Sequence, residues 1–105
     1  MLVVAGSFEV DPGRRDEFVE SRKEAMTISR GEKGCHEYVF APDPIDPGRV
    51  VLFERWESPE DLAAHLSAMR ARSAAAGEPA SPPVPVISSE VLQYDISGSG
   101  PVGGR

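Results

Sequence analysis

Two stretches of this chain share one grammar. "FEVDPGRRDEF" (8–18) and "RWESPEDLAAHL" (55–66) each end a strand-like run on a capping residue, Asp11 or Ser58. A proline follows at once, Pro12 or Pro59, and then an acidic first turn. A side-chain oxygen at the cap accepts one of the unpaired N–H groups of a helix start. Proline at the first helical position lacks an N–H that the helix does not use. Asp61 stands three residues after Ser58, where the acid of a capping box belongs. A strand joined to a helix without a loop must fold back on its own sheet. Two such joints are what the two βαβ halves of a ferredoxin-like sandwich produce.

The rest of the pattern agrees with that frame. "LVVAGSFEV" (2–10) reads as a strand, apolar early and alternating late. Phe18, Val19, Ala25 and Met26 recur at helical spacing to about residue 30, and Gly31 and Gly34 bracket the helix end. "CHEYVFA" (35–41) is a second strand, with His36, Tyr38 and Phe40 expected on one face and Cys35, Glu37 and Val39 on the other. "PDPIDPG" (42–48) must turn, and "RVVLFERWE" (49–57) is the third strand, placing Val50, Leu52, Glu54 and Trp56 together. The second helix carries an apolar stripe of Leu62, Leu66 and Met69, with His65 on or beside it. "RSAAAGEPASPPVPV" (72–86) reads as a long Ala/Ser/Pro-rich connection, residues 87–96 as the fourth strand and 97–105 as a flexible tail. The expectation is an α+β fold of order βαββαβ over residues 1–96: a four-stranded antiparallel sheet with both helices on one face. Its other face is apolar enough to pair with a second copy, giving a homodimer of dimeric α+β barrel type.

Charge narrows the partners. Seventeen acidic and eleven basic residues leave a net charge of −6, which disfavours nucleic acid and an anionic membrane surface. No apolar run reaches the ~20 residues of a membrane span, and the N-terminus lacks a basic n-region, so the expected location is the cytoplasm. Cys35 is the single cysteine, so no intrachain disulfide forms. The sequence carries no GxGxxG fingerprint, no P-loop and no Cys/His metal spacing. The two histidines, His36 and His65, lie far apart in the chain.

On "FEVDPGRRDEF", "GCHEYVF", "DPIDPGRVVLFERWESPEDLAAH" and "VLQYDI", in that order, the chain resembles the antibiotic biosynthesis monooxygenase family, which includes quinol monooxygenases. "FERWES" followed by the helix with "AH" is the most specific of these stretches. The resemblance implies oxygenation of a quinol, anthrone or similar polycyclic phenol by molecular oxygen, in polyketide or antibiotic tailoring, with no cofactor and no metal. The chemistry is coherent, because a deprotonated dihydroxyaromatic reduces oxygen itself and needs only a dry, oriented pocket and a proton acceptor. Haem-degrading enzymes of the same superfamily are the closest rival. Their Asn–Trp–His set corresponds to Gly6, His65 and a residue near Ala75 here, and all three differ. Many quinol-oxidising members carry a second histidine shortly after the one matching His65, where this chain has Met69 and Arg70. A third reading is a non-catalytic dimer that binds a small aromatic or serves in stress response.

Five side chains are the site candidates. His65 is the expected proton acceptor, since a free imidazole titrates near ~6.5; the alternative is that it only packs. Tyr38 is the second expected catalytic group, able to hold a phenolic oxygen or simply to support the sheet. Trp56 offers a flat face for an aromatic substrate, or is core with its N–H bonded to backbone. His36 and Arg55 are the remaining substrate contacts, Arg55 against an anionic oxygen or, alternatively, against a carboxylate of the sheet. Cys35 reads as a small buried hydrophobe.

Overall fold

The structure, a computed structural model, describes residues 1–79 and 82–103. Strand β1 (Leu2–Val10) runs into a short 3-10 turn at Pro12–Arg14, then helices α1 (Arg15–Ser21) and α2 (Lys23–Arg30). Strands β2 (Cys35–Pro42) and β3 (Arg49–Trp56) follow, then helix α3 (Pro59–Ala76) and strand β4 (Val86–Asp95). The strands form one antiparallel sheet of order β2-β3-β1-β4. The α1–α2 segment carries the chain from β1 past β3 to β2, and α3 carries it from β3 past β1 to β4. These two interleaved crossovers make a ferredoxin-like α+β fold.

Ser58 caps α3 as its sequence implies, whereas Asp11 caps the 3-10 turn Pro12–Arg14 and α1 starts after it without a side-chain cap. Asp11 Oδ1 accepts from Gly13 N at 2.8 Å, and Ser58 Oγ accepts from Asp61 N at 3.1 Å. The Ser58 hydroxyl in turn donates to Asp61 Oδ2 at 2.9 Å, so the box closes on the hydroxyl. The turn "PDPIDPG" is held by Asp43, whose side chain accepts from Ile45 N and Arg49 Nη1, each at 2.8 Å. Arg15 ties this turn to α1 by donating to the carbonyls of Asp43 and Asp46.

Strict alternation sorts the sheet residues. Val50, Leu52, Glu54 and Trp56 of β3 are buried toward the helices, with Tyr38 and Phe40 of β2 beside them. Phe18 and Met26 close the core from α1 and α2, and Leu62 from α3. Fully burying a side chain such as Leu2, Phe18 or Val50 contributes roughly 1.5–3 kcal/mol. Phe8, Phe18 and Phe40 stack at tilted or edge geometry, with centroids 5.7 to 6.4 Å apart. The opposite face presents Val3, Ala5, Val39, Val51, Phe53, Leu92 and Tyr94, partly or largely exposed. β4 is exposed along almost its whole length.

Four details differ from the sequence expectation. The first helix is broken at Arg22: Arg22 N bonds to Val19 O at 3.0 Å, and Ser21 Oγ bonds back to Phe18 O at 2.6 Å, tightening the last turn of α1. α3 runs on to Ala76, because Ser73–Ala76 are compatible with a helix, and stops at Gly77 with φ +68°. The expected loop 72–86 therefore begins at residue 77, and its residues 80 and 81 lie outside those described, as do 104 and 105 of the expected tail. Leu66, assigned to the apolar stripe, is 41% exposed, and His65 takes the buried place next to Leu62. Finally, the β2–β3 register slips between Cys35 and Glu37. That bulge turns His36 out of the face it was expected to share with Tyr38 and Phe40, and His36 is exposed.

Candidate functional site

The strand-to-helix joint that follows β3 builds the site. Trp56 is the last residue of β3, and Ser58 starts α3 two residues later. His65 lies nearly two turns into α3, one turn beyond Leu62, on the side facing the sheet. The Trp56 and His65 rings are 4.7 Å apart between centroids, and Tyr38 stands edge-on to His65 at 5.3 Å. Trp56 is completely buried and His65 is 2% exposed.

Two carboxylates flank the imidazole. Glu32, in the turn between α2 and β2, places Oε1 2.5 Å from Nδ1. Glu54, on the buried face of β3, places Oε1 4.0 Å from Nε2, beyond hydrogen-bond reach. The same Glu54 oxygen accepts the Trp56 indole N–H at 2.9 Å. A carboxylate only accepts, so with Glu32 ionised the imidazole carries its hydrogen on Nδ1. In the neutral ring, Nε2 then points its lone pair into the interior. Arg72 of α3 lies 3.8 Å from the other Glu32 oxygen.

Burial is the leading cause of the shifts at Glu54, Tyr38 and Cys35. It raises the Glu54 carboxyl above its ordinary range, with the Trp56 hydrogen bond and the His65 ring acting the other way. Burial, and next the negative charge of Glu54, push Tyr38 up to about 12. Tyr38 therefore keeps its proton at neutral pH. Cys35 is also raised by burial and by Glu54 and Glu32, which disfavours the thiolate.

The structure brings His65, Tyr38 and Trp56 into one cluster. His36 and Arg55 lie outside it. His36 Nε2 faces Glu57 at 2.7 Å on the surface, and Arg55, on the opposite sheet face, pairs with Glu37 at 3.4 Å. Glu54 and Glu32 complete the cluster and were not among the sequence candidates. Glu54 was legible: it interrupts an otherwise apolar face between Leu52 and Trp56. Glu32 carried no signal, since nothing in "RGEKG" ties it to a residue 33 positions away. Outside the cluster, an open depression of about 450 Å³ is lined by Glu32, Lys33, Glu60, Asp61 and the outer edge of His65. Among the described residues no three His, Cys, Asp or Glu side chains converge as a metal site, and no helix is long and apolar enough to cross a membrane.

The sheet and its two crossovers define a ferredoxin-like α+β protein. The model of the antibiotic biosynthesis monooxygenase family matches residues 1–77, and the chain belongs to that family. A curated relative, the uncharacterized protein sll1783 of Synechocystis sp., is 33% identical over 65 residues; these are 62% of this chain and 44% of the relative, so the match spans under half of that protein. A crystal structure from Deinococcus radiodurans, described as a candidate antibiotic biosynthesis monooxygenase, superposes with a TM-score of 0.75 at 17% identity, covering 99% of this chain and 100% of that one. The heme-degrader MhuD of Mycobacterium tuberculosis, solved with two hemes in its active site, superposes with a TM-score of 0.69 at 19% identity over 96% of this chain and 100% of that one. At those identities both likenesses concern the fold.

Proposed function

We propose that this protein is a cofactor-independent monooxygenase acting on a quinol, anthrone or similar polycyclic phenol in polyketide or antibiotic tailoring, and that His65 is its proton acceptor. The observation that carries this reading is the imidazole held at Nδ1 by Glu32, with Nε2 unbonded beside Tyr38 and Trp56. His65 Nε2 takes the phenolic proton. The resulting phenolate passes one electron to molecular oxygen, the radical pair joins at carbon as a peroxide anion, and the proton held by His65 returns to it to give a hydroperoxide. Loss of water leaves a carbonyl. For an anthrone the net change converts CH2 and O2 into C=O and H2O, so one oxygen atom enters the product and the other leaves with the two hydrogens. In this reading Tyr38, protonated at neutral pH, donates to a substrate oxygen, and Trp56 stacks on or walls the ring.

The dimer belongs to the same reading. Val3, Ala5, Val39, Val51, Phe53, Leu92 and Tyr94 form an apolar sheet face that the chain leaves open, and a second copy covers it face to face. The deciding assay is oxygen uptake with a panel of reduced quinones and anthrones, with product carbonyl measured against oxygen consumed. Saturable, equimolar uptake supports the reading, and none across the panel sinks it. One observation favours a second reading, a non-catalytic binder of small aromatics: the complete burial of Trp56 leaves its faces occupied by its own neighbours. Ligand binding without uptake is its signature. Haem degradation is disfavoured at Gly6, where a side chain's Cβ would lie 1.9 Å from the backbone oxygen of Glu90, so the asparagine of the haem-degrading pattern has no room.

A further inference from the structure

Glu54 is the one ionisable side chain that β3 turns into the core, between Leu52 and Trp56. A carboxylate buried there destabilises the fold unless a cation answers it. Among the described residues, no Lys or Arg forms a salt bridge with Glu54. The one basic group within 4.0 Å of its carboxylate is the His65 imidazole, through Nε2. The bond from the Trp56 N–H does not by itself call for a charge. A glutamine amide oxygen would accept the same N–H with nothing ionised to bury. What the carboxylate adds is a negative charge beside Nε2.

The surroundings of the imidazole divide into two sides. On the outer side Nδ1 meets Glu32, Arg72 of α3 reaches the other Glu32 oxygen, and Lys33, Glu60 and Asp61 rim the open depression, where water screens them. On the inner side stand the rings of Tyr38 and Trp56 and the carboxylate of Glu54. Tyr38 keeps its proton, and Cys35, close enough to feel both carboxylates, is disfavoured as a thiolate. Glu54 is therefore the fixed charge of the inner side. While the ring is neutral, its Nε2 lone pair faces that charge unfavourably. Once Nε2 carries a proton, the same 4.0 Å separates opposite charges, and their attraction is stronger in a site closed to solvent than in water.

We propose that Glu54 is a positioning residue of this site: its carboxylate is the counter-charge against which His65 becomes an imidazolium, and the oxygen that faces Nε2 also fixes Trp56 beside the ring. The proposal rests on the reading of His65 as a proton acceptor, and it adds what lets a buried imidazole hold that proton. The proton leaves the phenol for Nε2, stays there paired with Glu54, and returns to the peroxide. Glu54 neither gains nor loses it. The coupling is reciprocal: the imidazolium that favours an ionised Glu54 is favoured by it to the same degree.

The test compares Glu54 with Glu54→Gln, which removes the charge and keeps an acceptor for the Trp56 N–H. Both are made in a His36→Gln background, where His65 is the only histidine, and its Cε1–H resonance is followed by proton NMR across pH. The midpoint at which the ring takes its second proton should fall by about one pH unit or more in Glu54→Gln. Quinol-dependent oxygen uptake should fall about 10- to 100-fold, in kcat rather than KM, and the acid limb of its pH profile should move to lower pH. A purely structural role for Glu54 predicts neither shift. An equal midpoint in the two proteins, or a ring that takes no second proton while the Glu54 protein stays folded, overturns the proposal. The two measurements also separate it from the reaction. A lowered midpoint with no uptake by the wild type leaves the counter-charge standing and removes the reaction. Wild-type uptake that Glu54→Gln retains in full removes Glu54 and leaves the reaction.

Discussion

His65→Ala and His65→Gln separate a working histidine from a packing one. His65 is 2% exposed and in ring contact with Trp56 and Tyr38, so truncation to alanine leaves a void that the sheet cannot collapse into. Large-to-small changes at such sites cost about 2–4 kcal/mol. The broken bond to Glu32 adds about 0.5–1.5 kcal/mol at most, because the Glu32 side chain is 21% exposed and turns to water. In a domain of this length each kcal/mol moves Tm by about 4–8 °C, so His65→Ala should melt at least about 10 °C lower. Glutamine restores most of the volume and an amide for Glu32, and should recover more than half of that loss. Activity should not follow stability. Neither replacement can accept and release a proton near neutral pH, so both should lower quinol-dependent oxygen uptake by about 10²–10⁴-fold. Calorimetry and uptake on the same preparations, corrected for folded fraction, give the answer. Uptake near wild type in a folded His65→Gln protein refutes the assignment, and Tyr38 then becomes the residue to replace.

Three further outcomes follow from the geometry. Burial raises Glu54, so its folded pKa lies above its unfolded value and its buried charge destabilises the fold above the folded pKa, an effect absent below the unfolded one; Glu54→Gln, which keeps an acceptor for the Trp56 N–H, should therefore melt higher than wild type at pH 7, with the gain shrinking toward pH 4. Gly6→Asn drives a Cβ to 1.9 Å from Glu90 O and 2.6 Å from Val91 Cα, both backbone atoms, and should cost more than about 4 kcal/mol; circular dichroism should show loss of cooperative unfolding, and a stable variant would contradict the β1–β4 register. Analytical ultracentrifugation should give twice the 11.3 kDa of the chain, and Phe53→Glu with Leu92→Glu should shift it to monomer, whereas a wild-type monomer at micromolar concentration removes the face-to-face dimer.

The local pieces of this protein are written in its sequence because their causes are local. Asp11-Pro12 and Ser58-Pro59 start helices by satisfying N–H groups two or three residues away, so both strand-to-helix joints, and with them the βαββαβ order, could be read before any contact was known. Alternation likewise put Glu54 and Trp56 on the buried face of β3. What required the tertiary structure were effects whose partners are distant or whose spacing slips. One bulge between Cys35 and Glu37, a matter of pairing with β3, turned His36 to solvent, against the alternation of "CHEYVF". The packing angle of α3 chose His65 over Leu66 for the buried side, although both sit beside Leu62 on the helical wheel. Glu32 reached His65 across 33 residues because the turn after α2 ends above the same helix.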